Sequence, residues 1–229
     1  MKVFIFDNYS LMSDILISLA AFIAVMCYGK YKETPVRYFI FYLVFIVFVE
    51  LVANYPKFLI FYIKGTLFER NFWWYTLCWN MGSALFFSFY FRKTIQSRKL
   101  KIILKASTVA YIVFAFISIM LDYKTFFTAF MPGINIGGML LILMSISLYF
   151  IEVLESDKIL TFYKSINFYI SSVLLIYFFA TIPLIFFNRY SNLADMDYLV
   201  LKWSVLFCAN FMMYVTFSLA LLCCKPQNQ

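Results

Sequence analysis

Histidine is absent from this chain of 229 residues. Its absence excludes histidine-based nucleophilic catalysis, histidine metal ligands, a histidine-ligated haem and a phosphoaccepting histidine. The five cysteines form no C-x-x-C pair, so neither a disulfide framework nor a zinc site is indicated. We therefore expect neither a bound metal nor a cofactor.

Charged residues are scarce as well. They make up 13% of the chain, whereas 65% of the residues are hydrophobic. A soluble domain is about a quarter charged and about half apolar. Apolar runs of about 20 residues recur from end to end, which is the length that an α-helix needs to cross a bilayer. The composition predicts an all-α membrane protein with a single polytopic domain over residues 1–229.

The apolar runs predict a seven-transmembrane helix bundle. The connection after the third run is strongly basic and contains no acid, which indicates a cytoplasmic loop. The N-terminus is then outside and the C-terminus cytoplasmic. The predicted helices cover residues 9–28, 38–63, 72–91, 102–121, 126–151, 160–187 and 198–224. The basic residues of the cytoplasmic loop are Arg92, Lys93, Arg98, Lys99, Lys101 and Lys105.

The net charge of +8 does not indicate nucleic-acid binding. The basic residues lie between the apolar runs, where membrane topology requires them. We expect the lipid bilayer as the partner of these residues and no nucleic acid.

One stretch of the second run carries polar residues where a membrane helix normally carries hydrocarbon. This stretch, residues 48–59, reads FVELVANYPKFL. Glu50, Asn54 and Lys57 are spaced i, i+4 and i+7, so they share one helical face. A polar stripe is expensive in lipid and must face other protein or water.

Prolines and glycines mark expected irregularities in the helices. Pro56 leaves the carbonyl of Val52 without its helical partner and predicts a kink, and Pro183 predicts a second kink near the outer end of the sixth helix. Gly133 and Gly137 have the G-x-x-x-G spacing that allows close contact between helices.

Four of the predicted helices carry a polar residue at similar depth, roughly 18–25 Å from the inner face at ~1.5 Å per residue. One interpretation is a cavity open to the outside, and the other is asparagines that bond helices together at about 1 kcal/mol each. We hypothesise that Glu50 is protonated or bonded to Asn80, and that its state is coupled to ligand or proton binding. This polar layer consists of Glu50, Asn54, Asn80, Asn135 and Asn210.

Several segments resemble a group of uncharacterised bacterial seven-helix membrane proteins. NFYISSVLLIYFFATIPLIFF is similar to their sixth helix, and KWSVLFCANFMMYVTFSLALLCCK resembles their last helix, with Trp203, Asn210 and Tyr214 in matching places. ELVANY and WNMGSALFFSFYFRK, in the second and third helices, are also similar. The family pattern often has a histidine shortly before the last-helix asparagine, and this chain has none.

Such proteins are often associated with sensor histidine kinases. The resemblance therefore implies a sensing or signalling accessory of the bacterial inner (plasma) membrane that acts through a membrane or cytoplasmic partner. The alternative is a small-solute or proton-coupled transporter or channel that uses the polar layer around Glu50. Paired carboxylates and Ser–His pairs at matched depth are missing, so we expect no enzyme. An intramembrane lipid enzyme remains the third alternative.

Overall fold

The computed structural model describes residues 2–156, 162–187 and 196–226. The regular structure within these ranges is helical and includes no strand, which confirms the all-α prediction. Contacts divide the chain into two compact units, the first of Met1–Val44 with Leu160–Gln229 and the second of Phe45–Ile159. The single membrane domain stays a prediction.

The first unit is organised around the last helix of the chain. Helix α11 packs against both α1 and α10. Its core includes Phe39, whose ring meets the Phe217 ring edge-on with the centroids 4.9 Å apart. The helices of this unit are α1 (Lys2–Met26), α2 (Tyr28–Tyr31), the beginning of α3 (Val36–Ala53), α10 (Ile166–Phe187) and α11 (Met196–Cys223), with a 3₁₀ turn at Phe162–Lys164.

The second unit contains the end of α3 and the helices that follow it. These are α4 (Tyr55–Ile63), α5 (Phe72–Trp74), a π-helix (Tyr75–Met81), α6 (Gly82–Thr94), α7 (Arg98–Leu121), α8 (Tyr123–Thr128) and α9 (Pro132–Leu154). Helix α5, the π-helix and α6 follow one another without a gap and are called helix 72–94 below. Helix α9 packs against α6, α7 and the π-helix.

Six described helices are long and apolar enough to cross a membrane, by length and composition. This finding is compatible with an integral membrane protein. Helix 72–94, the third predicted span, is not among the six, since its first half contains tryptophan, tyrosine, threonine and asparagine. The six spans are Asn8–Met26, Val36–Leu59, Arg98–Leu121, Pro132–Leu154, Ile166–Ile185 and Tyr198–Cys223.

The second and fifth predicted helices are each divided in two. A turn at Asn54 separates α3 from α4 and places Pro56 in the first turn of α4, where its missing N–H is tolerated. An extended stretch around Ala129 and Met131 separates α8 from α9, which starts at Pro132. A residue before proline avoids the helical conformation, which explains this second break. In contrast, the helix continues through Pro183.

Other helix ends differ from the prediction. Helix α1 begins at Lys2 instead of residue 9, and helix 72–94 continues to Thr94 instead of 91. Helix α7 begins at Arg98 instead of residue 102. Helix α10 begins at Ile166, after the 3₁₀ turn, and residues 160–161 of the predicted sixth helix lie outside the described residues.

The predicted basic loop is mostly helical. Arg92 and Lys93 lie in the last turn of α6, and Ile95–Ser97 connects it to α7. The remaining four basic residues lie in the first two turns of α7. Glu152 of α9 holds this short connection: the carboxylate accepts hydrogen bonds from the Gln96 N–H at 2.7 Å and the Ser97 N–H at 2.9 Å. A carboxylate at a helix N-terminus also interacts favourably with the positive end of the helix dipole.

The close approach of α9 to its neighbours involves Gly137, one of the two expected glycines, and Gly138, which was not expected. A Cβ on Gly133 would have its nearest neighbour at 3.9 Å, whereas a Cβ on Gly137 would lie 3.3 Å from both Tyr111 and Phe114. The tightest position is Gly138, where a Cβ would lie 2.9 Å from the Tyr111 hydroxyl. Gly138 therefore sets the distance between α9 and α7.

Candidate functional site

The break at Asn54 leaves backbone carbonyls at the end of α3 without their usual partners. In a regular helix the Asn54 N–H would bond to the Glu50 carbonyl, but here it bonds to the Leu51 carbonyl at 3.3 Å. The Asn54 side-chain amide donates instead to the Glu50 carbonyl at 2.9 Å. The side chain thus replaces its own backbone N–H. The sequence left Asn54 between lining a cavity and bonding structure together, and here its amide closes the helix break.

The beginning of helix 72–94 supplies two further donors to the same helix end. The Asn71 amide donates to the Ala53 carbonyl at 2.8 Å, and the Trp74 indole N–H donates to the Val49 carbonyl at 2.9 Å. A carbonyl without a donor in a low-dielectric surrounding costs about 1–3 kcal/mol. The two donors therefore fasten helix 72–94 to the end of α3.

The Glu50 carboxylate is bonded to a tyrosine of helix 72–94. The Tyr75 hydroxyl donates to Glu50 Oε2 at 2.7 Å, and both side chains are half-buried. A hydrogen bond from a hydroxyl to a carboxylate at such a distance is among the strong ones. The structure thus gives Glu50 a tyrosine partner, where the sequence suggested Asn80.

Tyr75 is also the first residue of the π-helix. A π-helix contains one extra residue per turn relative to an α-helix, is rare, and occurs frequently at functional sites. The distortion follows directly on the residues that bond to α3. The carboxylate of Glu50 is therefore joined to the point where helix 72–94 departs from α-helical geometry.

The other two polar residues of the second unit have a different environment. Asn80 lies inside the π-helix and Asn135 in the first turn of α9, and both are half-buried. Within the described part of the chain, neither side-chain amide has a hydrogen-bond partner. Because α9 packs against the π-helix, these amides belong to two helices in contact. They retain hydrogen-bonding capacity for a ligand or for water.

Asn210 lies in the first unit, where it bonds two helices together. Its amide donates to the Tyr9 hydroxyl at 2.8 Å, and only 8% of the residue is exposed. The Tyr9 ring packs against Trp203 with the ring centroids 4.5 Å apart. Of the two interpretations of the asparagines, this contact matches the helix-bonding one.

Asn71, Trp74 and Tyr75 are the residues of the site that sequence reasoning missed. Tyr75 belongs to the aromatic cluster at residues 72–75, which reads as an interfacial belt. The available signal was the lone carboxylate of Glu50 in an apolar helix, because such a group requires a hydrogen-bond donor. Several tyrosines and asparagines could have supplied it, and only the packing of α3 against helix 72–94 selects among them.

The site can bind a polar ligand or exchange a proton through one carboxylate and one phenol. Among the described residues, no group of three or more histidine, cysteine, aspartate or glutamate side chains is placed to hold a metal ion. No family model, no curated protein and no solved structure matches this chain.

Proposed function

We propose that this chain is a seven-helix protein of the bacterial plasma membrane, with its N-terminus outside and its C-terminus inside. It acts as a sensing or signalling accessory through a membrane or cytoplasmic partner. The observation that carries the proposal is the hydrogen bond from Tyr75 to Glu50 at the start of the π-helix. Helix 72–94 is the seventh span of this topology, and its tryptophans and tyrosines lie at the membrane interface.

The bond provides a way to convert ligand or proton binding into movement of a helix. A ligand or proton that binds to the Glu50 carboxylate displaces the Tyr75 hydroxyl and releases Tyr75 from α3. The π-helix then relaxes toward α-helical geometry, which rotates the residues after it by about 100° for each residue removed from the turn. The rotation reaches the end of α6 at Arg92 and Lys93, which lie on the cytoplasmic side in the proposed topology.

The partner binds at the end of α6 and responds to its rotation. The described connection between α6 and α7 is only Ile95–Ser97, so little soluble mass is present to carry a signal by itself. Glu152 holds this connection through backbone hydrogen bonds. A change at the end of α6 is therefore passed to α9 and to whatever binds the adjacent basic residues.

A second candidate is a proton-coupled or small-solute transporter. The half-buried amides of Asn80 and Asn135 favour it, because they lie on two helices in contact and have no partner within the described residues. Together with Glu50 they offer donors and acceptors to a solute. The two candidates differ in what crosses the membrane.

The deciding experiment compares wild-type protein with Glu50→Gln and Tyr75→Phe in proteoliposomes. Glu155→Gln is the matched control, because it makes the same chemical change at an exposed residue after α9. Proton flux is followed with an internal pH dye. In parallel, membranes are crosslinked and the kinase activity that copurifies with each variant is measured.

A signalling role predicts no flux in any variant. It also predicts a copurifying kinase whose autophosphorylation changes about tenfold in Glu50→Gln and Tyr75→Phe but not in Glu155→Gln, as expected for ~1.4 kcal/mol of coupling. Wild-type flux that Glu50→Gln abolishes would establish the transporter instead. Absence of both flux and a copurifying kinase would contradict both candidates.

A further inference from the structure

A cavity of about 850 Å³ lies beside the last two turns of α11. Leu219, Ala220 and Cys223 of α11 form one wall, and Tyr169 of α10 contributes to another. Small-molecule sites commonly enclose about 300–1,000 Å³. All the residues that line it belong to the first unit, and none belongs to the polar site around Glu50.

The lining changes from apolar to basic along the helix. Thr216, Leu219, Ala220 and Cys223 are spaced i, i+3, i+4 and i+7, so they form one stripe that runs about 10 Å along α11. The basic residue on this helix, Lys225, follows the stripe just beyond the end of α11. An occupant that satisfies both regions must have an apolar part and an anionic part.

The described residues at the basic end of the cavity include two lysines and no acid. Lys164 and Lys225 line the cavity together with Tyr163, whose ring lies 5.5 Å from Lys164 Nζ. Both lysines are exposed, and no carboxylate of the described residues pairs with either of them. Their charge is thus available to an anion, and the neighbouring tyrosine hydroxyl can donate to it.

The carbonyl end of α11 would repel an anion if its carbonyls were bare. It is neutralised by other groups instead. Lys30 Nζ donates to the Leu221 and Leu222 carbonyls at 3.1 and 2.9 Å, and the Tyr31 hydroxyl donates to the Cys224 carbonyl at 2.7 Å. The partial negative charge at the end of α11 is therefore already compensated by the Lys30 ammonium group.

We propose that this cavity binds one anionic phospholipid, with the phosphate between Lys164 and Lys225 and an acyl chain along the stripe of α11. The apolar stripe belongs to the span Tyr198–Cys223, so a ligand that fills it must come from the bilayer. A free phosphate would use the lysines and leave the stripe empty. The proposal does not depend on which leaflet surrounds this end of α11 or on the function of Glu50.

Cys223 provides a natural reporter of occupancy, because it is exposed and lines the cavity. The full chain is placed in nanodiscs of phosphatidylcholine alone or with phosphatidylglycerol, and the rate of Cys223 alkylation by N-ethylmaleimide is measured by peptide mass spectrometry. Cys27 is the internal reference, because it follows the span Asn8–Met26, is half-buried and does not line the cavity. Cys224 is less suitable, because burial raises the pKa of its thiol.

We expect phosphatidylglycerol to slow alkylation of Cys223 severalfold relative to Cys27. Each lysine near an anionic lipid contributes about fivefold, so Lys164→Gln with Lys225→Gln weakens lipid binding roughly 30-fold and removes the protection. Lys164→Arg with Lys225→Arg retains it. Lys99→Gln with Lys101→Gln, which removes the same charge from α7, also retains it.

A further variant tests the apolar part while both lysines remain. Leu219→Trp fills the stripe at a residue that is 55% exposed, and we expect it to abolish the effect of phosphatidylglycerol. Protection that persists in the double Lys→Gln variant or in Leu219→Trp would overturn the proposal. Equal protection by inorganic phosphate in phosphatidylcholine nanodiscs would overturn it as well, since that result would show an anion site without a lipid.

Discussion

Gly138 lies where α9 approaches its neighbours most closely, and its replacement by alanine tests the packing of the second unit. The new Cβ would lie 2.9 Å from the Tyr111 hydroxyl and 3.3 Å from the Ala84 Cβ. Real Cβ atoms essentially never lie within 3.0 Å of a heavy atom to which they have no covalent connection. Either Tyr111 or α9 must therefore move.

Both movements cost free energy. Tyr111 is buried, and its hydroxyl donates to the Ile134 carbonyl at 3.2 Å, so that displacing the phenol costs about 0.5–1.5 kcal/mol for the hydrogen bond. Overpacking a core costs about 1–3 kcal/mol. Alanine recovers about 1 kcal/mol over glycine in a helix interior. The free energy of unfolding of Gly138→Ala should therefore fall by about 0.5–3.5 kcal/mol.

Unfolding is followed by circular dichroism during titration of sodium dodecyl sulfate into mixed micelles. Gly133→Ala is the matched control, because its new Cβ meets the nearest atom at 3.9 Å, which is ordinary contact. We expect the control to unfold at or above the wild-type midpoint, because alanine favours the helix over glycine and its Cβ meets no clash. In a Tyr111→Phe background, which removes the clashing hydroxyl, Gly138→Ala should lose most of its effect. The reasoning would be refuted if both alanine variants were equally stable, or if Tyr111→Phe gave no relief.

Two further predictions concern helix ends. Asn71→Ala leaves the Ala53 carbonyl without its side-chain donor and should lower the free energy of unfolding by about 1–3 kcal/mol in the same titration, whereas Asn80→Ala, which loses no hydrogen bond to a described residue, should not. At the start of α8, hydrogen bonds from Thr125 hold the pKa of Asp122 below its ordinary value of 3.8. This carboxylate stabilises α8 at neutral pH and stops doing so as the pH falls below 3.8 through the folded-state pKa. Amide exchange of α8 should therefore accelerate at acidic pH in wild type, and Asp122→Asn should lack this pH dependence; equal profiles would contradict it.

The apolar helices were predictable because hydrocarbon length and composition are properties of the sequence itself. Their interruptions were less predictable. Pro56 indicated an irregularity in the second helix, but the turn at Asn54 also depends on the Asn54 amide, which replaces a backbone donor. The break before Pro132 had a visible signal, since proline restricts the residue that precedes it. The basic residues were predicted as a loop because charge indicates the side of the membrane and not the local backbone.

The polar residues were likewise predictable only in part. Periodicity placed Glu50 and Asn54 on one helical face, and the cost of a carboxylate in an apolar helix indicated that Glu50 needs a partner. The partner hypothesised from the sequence was Asn80, whereas the structure shows a hydrogen bond from Tyr75. Tyr75 lies 25 residues away, and its hydroxyl reaches Glu50 only because helix 72–94 begins beside the end of α3.

The sequence by itself determined that the chain is helical, apolar enough to enter a membrane and marked by an isolated carboxylate at Glu50. These properties follow from local composition and from the period of the helix. The tertiary structure decided that Tyr75 holds this carboxylate, that Asn210 joins Tyr9, and that Gly138, outside the predicted glycine pair, approaches α7 most closely. Which residues from distant parts of the chain come into contact depends on how each helix is rotated about its axis. On helices that are hydrophobic nearly all round, no polar face fixes that rotation, so packing between side chains has to set it.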